Sequence, residues 1–193
     1  FPYTTLFRSK KRVDLLCEKF TNLGQGNVQL KKLNEDGLLV FTSKSENLEI
    51  VDVIVISVPT PLNKGKPDFK YIYQCIKSIK KAATRNTLII LESTVSTGFT
   101  RSFANLIRHD LPFHNLDIAF SPERIDPLNK KWDVKNTPKL VAGLTDRARD
   151  RAVEFYSKFI DTVIPCSSLE VAETAKLLEN SFRLINISFI NEL

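Results

Sequence analysis

The run Val51-Asp-Val-Ile-Val-Ile-Ser-Val58 constrains the fold more than any other stretch of the chain. It is β-branched and lacks apolar–polar alternation, the pattern of a strand buried on both faces of a parallel sheet. It stops at Pro59-Thr60-Pro61, and Asn63-Lys-Gly-Lys-Pro67 reads as a turn. Around this run strands and helices alternate. Strands are expected at 38–41, 87–91, 117–120, 139–142 and 162–165, and helices at 69–83, 98–109 and 146–160, the last capped by Thr145. Nearer the start, an amphipathic helix is expected at 10–20, a short helical piece at 28–33, and one or two turns running from Ser43 or Ser45 through Leu48. Strict alternation argues for an α/β fold, a doubly wound parallel sheet with right-handed crossovers.

The chain closes on a long helix capped by Ser167 or Ser168. At about 100° per residue, Glu173, Lys176, Asn180, Arg183 and Asn191 share one narrow polar sector. Leu177, Leu178, Phe182, Leu184, Ile185, Phe189 and Ile190 cover most of the rest, so the helix is expected to be buried. A buried lysine or arginine needs a partner. Two readings stand: a structural ion pair with Glu173 or Glu179, or a stripe that faces an anionic ligand.

The net charge is +6, yet the Lys and Arg residues are scattered on helix faces, as at Lys77, Lys80, Lys81 and Arg85. No basic run is interleaved with aromatics, so nucleic-acid binding is not expected, whereas an anionic small-molecule substrate fits the charge. Cys17, Cys75 and Cys166 lie far apart without CxxC spacing, which points to a reducing, cytoplasmic setting and no metal site. His109 and His114 flank Pro112 in an apparent loop. No apolar run approaches the roughly 18 to 20 residues of a membrane span. Residues 1–9, Phe-Pro-Tyr-Thr-Thr-Leu-Phe-Arg-Ser, lack periodicity and read as one frame of a widely used sequencing adapter. They are expected to be a non-native artefact outside the fold. The chain is expected to be cut at both ends, near Lys10 and inside the long helix.

In an open parallel sheet, ligands bind beyond the carboxyl ends of the strands. The turns there carry Pro59-Thr60-Pro61, Glu92-Ser93-Thr94-Val95 and Ser121-Pro122-Glu123-Arg124. Hydroxyls, a carboxylate and an arginine are therefore expected to meet the polar stripe of the last helix around one pocket. A glycine-rich phosphate loop is missing, because Gly24-Gln25-Gly26 follows a helix and lacks the third glycine.

Taken in order, Val58-Pro-Thr-Pro61, Glu92-Ser-Thr-Val95, Ser121-Pro-Glu-Arg-Ile125, Pro138-Lys-Leu-Val-Ala-Gly143 and Glu173-x-x-Lys-Leu-Leu-Glu-Asn-x-Phe-Arg183, followed by Asn186-Ile187 and Asn191-Glu192, resemble the nucleotide-sugar 6-dehydrogenases, the family of UDP-glucose and GDP-mannose dehydrogenases. Ser-Pro-Glu-Arg resembles the branch acting on UDP-N-acetylglucosamine or UDP-N-acetylmannosamine. The resemblance implies a Rossmann-like NAD domain at 10–166 lacking its first strand–turn–helix, then the start of a central helical dimerisation domain at 167–193. It implies a two-step, NAD-dependent oxidation of a sugar C6 alcohol to a carboxylate through a cysteine adduct, for surface polysaccharide synthesis.

By the same resemblance Thr94 and Glu123 handle water or proton, and Lys176 and Asn180 stabilise the developing oxyanion. Thr60 and Thr94 help hold NAD. Glu123, Arg124, Lys176, Asn180 and Arg183 meet the UDP-linked substrate. A homodimer through the last helix is implied, with no metal and no membrane. Ser96-Thr97 and Leu128 depart from the family pattern in loops, and none of the three cysteines matches the family's catalytic one, so the chain alone is expected to be inactive. Two other readings remain: a dehydrogenase of the 3-hydroxy acid type, and a non-catalytic dimerisation or binding module.

Overall fold

The structure is a computed structural model that describes residues 3–6, 10, 13–14, 32, 36–44, 51–84, 86–110, 116–125 and 131–193. It divides into two compact units, Phe1–Ile50 and Val51–Leu193. In the first, β1 (Tyr3–Leu6) pairs in parallel with β2 (Leu39–Thr42), Tyr3 opposite Leu39. Tyr3–Leu6, within the stretch 1–9 expected to be a non-native artefact, is thus a strand. A ladder is made by backbone groups and needs no side-chain periodicity. The helices expected at 10–20, 28–33 and before Leu48 fall almost wholly outside the described residues, as do Cys17 and Gly24-Gln25-Gly26.

The second unit is built on a five-stranded sheet of order β3-β6-β7-β8-β9. These strands are β3 (Val53–Ile56), β6 (Leu88–Leu91), β7 (Asp117–Phe120), β8 (Lys139–Gly143) and β9 (Val163–Pro165). The hairpin β4 (Leu62–Asn63) and β5 (Lys66–Pro67) stands apart from the sheet. Its two-residue turn places Lys64 at φ 50° and Gly65 at φ 75°, the positive values a tight hairpin of this hand requires.

Two expectations about the sheet are corrected. It is mixed and not wholly parallel: β7 and β8 run antiparallel, with Ala119 opposite Gly143, while β3–β6, β6–β7 and β8–β9 are parallel. No helix is described between β7 and β8 that would carry the chain back across the sheet, so the return strand lies antiparallel to its neighbour. And β3, which pairs on one side only among the described residues, leaves Val55 41% exposed. The strands buried throughout are β6 and β7.

Those two strands show why unbroken apolar runs suit this position. Ile89 and Leu91 face one core with Ile118 and Phe120, while Leu88 and Ile90 face a second core with Ala119 and Val141. Helices cover both faces, as a doubly wound sheet demands. The first core is closed by α1 (Lys70–Ala82), through Ile72, Ile76 and Ile79, and by α2 (Phe99–Asp110), through Phe99, Phe103 and Ile107. The second is closed by α3 (Asp146–Ser157), through Ala152 and Tyr156. Thr145 Oγ1 caps α3 by accepting the Ala148 N–H at 3.1 Å.

The last helix, α4 (Leu169–Glu192), is capped by Ser168, whose Oγ accepts the Val171 N–H at 3.2 Å. Its first turns are anchored: Leu169, Ala172 and Glu173 are buried. Beyond that it is not the buried helix its composition suggests, for Leu178, Phe182, Ile185, Phe189 and Ile190 are all exposed. An all-round apolar pattern announces that a helix is covered without saying by what. His109 stands in the last turn of α2 and not in a loop.

Candidate functional site

The turns at the carboxyl ends of β3 and β6 are tied together by hydroxyls. Ser93 Oγ accepts the Val58 N–H at 2.9 Å and donates to the Val58 carbonyl at 2.7 Å. Thr60 Oγ1 donates to the Thr94 carbonyl at 2.8 Å. The structure therefore brings Thr60 and Thr94 together, both half-buried, on one neutral lip of the sheet. Hydroxyls and backbone groups without a fixed charge suit the uncharged hydrogen-bonding groups of a nicotinamide nucleoside.

At the end of β7, Ser121 and Pro122 are buried and Glu123 emerges. Glu123 Oε1 accepts the N–H groups of Arg124 at 2.8 Å and Ile125 at 2.7 Å, which fixes one face of the carboxylate. Its other oxygen lies 3.5 Å from Lys139 Nζ. Lys139 Nζ is also 2.9 Å from Glu92 Oε1, and it sits 4.8 Å above the Tyr156 ring. The Tyr156 hydroxyl donates to the same Glu92 oxygen at 2.7 Å. Burial, joined by the adjacent Glu92 carboxylate, pushes the Tyr156 phenol far above its usual pKa.

Sequence reasoning missed this cluster of Glu92, Lys139 and Tyr156. The signal was a lysine opening an otherwise buried strand: Lys139 is 7% exposed. Lys139→Met removes the cation between Glu92 and Glu123. Breaking a buried pair costs about 3–5 kcal/mol, reduced here to about 2 kcal/mol because the Glu123 end is open to water. Urea denaturation measures it.

Arg124 does not point its guanidinium at the open lip. Nε donates to Glu179 Oε2 at 3.0 Å, Nη2 pairs with the other Glu179 oxygen, and Nη1 donates to the Pro138 carbonyl at 2.9 Å. Glu173 is engaged elsewhere. Its buried carboxylate accepts the N–H of Gly98 at 2.6 Å and of Thr100 at 2.8 Å, at the start of α2. Gly98 has φ +85°, a conformation natural only to glycine.

Lys176 is half-buried on α4 and forms no ion pair among the described residues, so neither Glu173 nor Glu179 is its partner. Burial lowers its pKa below the ordinary lysine value. The carboxylates of Glu179 and Glu123 pull it back up, and the guanidiniums of Arg183 and Arg124 push it down. The sheet edge and the helical stripe thus share one electrostatic neighbourhood. Asn180, one turn on from Lys176, is exposed, and its side chain makes no hydrogen bond among the described residues.

A cleft of about 470 Å³ opens between the Arg124 turn and α4, with Arg183 and Glu179 in its wall. Thr94, Glu123, Lys176 and Asn180 do not line it, so this cleft is not the shared pocket expected of them. Among the described residues no cluster could hold a metal ion, and no helix is long and apolar enough to cross a membrane.

A two-faced α/β sheet whose ligand edge is built from hydroxyl-bearing turns defines a Rossmann-like, NAD-binding domain. More narrowly, the family model described as "UDP-glucose/GDP-mannose dehydrogenase family, NAD binding domain" matches residues 10–160, and the chain belongs to that family. It is 31% identical to the UDP-N-acetyl-D-mannosamine dehydrogenase of Pyrococcus horikoshii over 85% of this chain and 40% of that protein. It is 33% identical to the UDP-N-acetyl-D-glucosamine 6-dehydrogenase of Salmonella typhi over 84% of this chain and 40% of that protein. The solved Pyrococcus horikoshii UDP-D-ManNAc dehydrogenase superposes with a TM-score of 0.90 at 25% identity, over 98% of this chain and 46% of that one. The chain therefore spans less than half the length of these relatives.

Proposed function

We propose that this chain is the NAD-binding segment of a dehydrogenase that oxidises the C6 alcohol of a UDP-N-acetylhexosamine to a uronic acid in two steps, for surface polysaccharide synthesis. The observation that carries the reading is Lys176: a half-buried ammonium without an ion-pair partner among the described residues, in the field of Glu123. A charge held so is ready for an oxyanion that forms during reaction. The sequence blocks shared with the family and the printed substrates of its relatives supply the substrate class.

Thr60 and Thr94 would hold NAD at the lip. When bound, NAD supplies the hydride acceptor for each two-electron oxidation. Thr94 and Glu123 orient water and take up its proton, Lys176 and Asn180 stabilise the charge developing on the former C6 oxygen, and Arg183 binds substrate. None of Cys17, Cys75 and Cys166 matches the family's catalytic cysteine, so this chain alone turns over nothing. The exposed apolar side of α4, with Phe182 69% and Ile185 66% exposed, supports a homodimer through that helix. The free thiols Cys75 and Cys166 fit a cytoplasmic setting.

The test is the purified parent enzyme mixed with NAD and either UDP-N-acetylglucosamine or UDP-N-acetylmannosamine. Alcohol to carboxylate is a four-electron change, so two NADH are expected per sugar consumed. Turnover of 3-hydroxy acids with none on nucleotide sugars would overturn the reading.

A further inference from the structure

We propose that Arg124 is a positioning residue that holds Glu179 away from Lys176, leaving the lysine charge available at the site. The inference rests on the role given to Lys176 above.

Glu173 and Glu179 lie three residues before and after Lys176 on α4, where helical neighbours of opposite charge ordinarily pair. Glu173 is taken by the Gly98 and Thr100 amides. Glu123 is taken by the Arg124 and Ile125 amides on one oxygen and faces Lys139 with the other. That leaves Glu179, whose side chain is 40% exposed and meets Arg124. Arg124 grips it by both oxygens, and its third contact, to the Pro138 carbonyl, fixes the guanidinium from the opposite side. A planar fork against a carboxylate is the geometry that competes best with a lysine for it. Lys176 accordingly keeps no carboxylate within ion-pair reach among the described residues, although Glu179 and Glu123 both act on its charge.

The experiment uses the parent enzyme with Arg124→Met, and with Arg124→Met combined with Glu179→Gln. In the single variant the freed Glu179 pairs with Lys176, and kcat falls by about tenfold with the KM for UDP-sugar little changed. In the double variant the competitor is gone, and kcat returns to within about threefold of the starting enzyme. A second readout needs no turnover. Nitrogen NMR titration of the Lys176 ammonium, on which the charges of Glu179, Glu123, Arg183 and Arg124 act, should show its pKa rise in the single variant and return in the double.

A double variant as slow as the single one, with raised substrate KM, would show that Arg124 touches substrate and would overturn the proposal. Equal loss in both variants with a lowered melting midpoint would overturn it in favour of a merely structural clamp. If the parent oxidises no nucleotide sugar, the functional reading fails, and the titration still decides whether Arg124 keeps Glu179 off the lysine.

Discussion

Lys176→Ala in the parent enzyme lowers kcat by about 10³-fold, the loss typical of removing one fixed donor from an oxyanion site. A half-buried ammonium without an ion-pair partner among the described residues is costly to hold, and the cost is recovered only when a negative charge forms beside it. The ground state carries no such charge at C6, so KM for the sugar should change by only a few-fold. Lys176→Arg should not restore the rate, because a planar fork cannot occupy the place of a compact charge. The sign of the pH effect also follows. Burial holds the folded-state pKa of Lys176 below the ordinary lysine value, so the ammonium is lost at lower pH than a free lysine would lose it. Activity should therefore decline on the alkaline side before the usual lysine range. NADH absorbance followed across pH, with and without the substitution, checks both statements. Unchanged kcat in the alanine variant would leave α4 as a packing element alone.

Most of the scaffold was legible because it is local. Apolar runs at 88–91 and 117–120 needed no alternation, since each faces a core on both sides. Thr145 and Ser168 announced their helices by residue type and position. What was hidden is long-range. β8 runs antiparallel to β7 with no crossover helix between them among the described residues, and the sequence marks this only by an irregular, proline-bearing stretch. The Val51–Val58 run resembled the central strands, yet among the described residues its strand pairs on one side only. Edge and centre differ in neighbours, and neighbours are not written in the run itself. Within the site, Thr60 and Thr94 were placed by the rule that ligands gather at carboxyl ends of strands. For Arg124, nothing in the sequence shows that Glu179 meets it from 55 positions away. Lys139 was read only as the start of a strand, whereas three dimensions set it between two carboxylates.

Glu173→Ala is the substitution expected to cost most in stability, about 3–4 kcal/mol, because it strips one buried and one partly buried backbone donor of their acceptor at about 1–3 kcal/mol each. Glu173 is fully buried, and its carboxylate reaches across 73 residues to the Thr100 amide and 75 to the Gly98 amide. A carboxylate at a helix start satisfies N–H groups that have no partner within the helix and complements the positive end of the dipole. This contact also has a functional consequence. Gly98 closes the segment that begins at Thr94, and Glu173 sits one turn before Lys176, so one side chain ties the Thr94 turn to the polar stripe of α4. Arg101 and Glu170 bridge the same two helices at 2.8 Å, but both are exposed enough that water replaces most of what that pair contributes. Glu173→Gln keeps an acceptor while losing the charge and turning one donor toward an amide, so it should fall between the parent and the alanine variant. Urea midpoints of the parent enzyme and both variants give the stabilities. If the alanine variant loses less than about 1 kcal/mol, surface-like capping energetics apply and the carboxylate is not what joins α2 to α4.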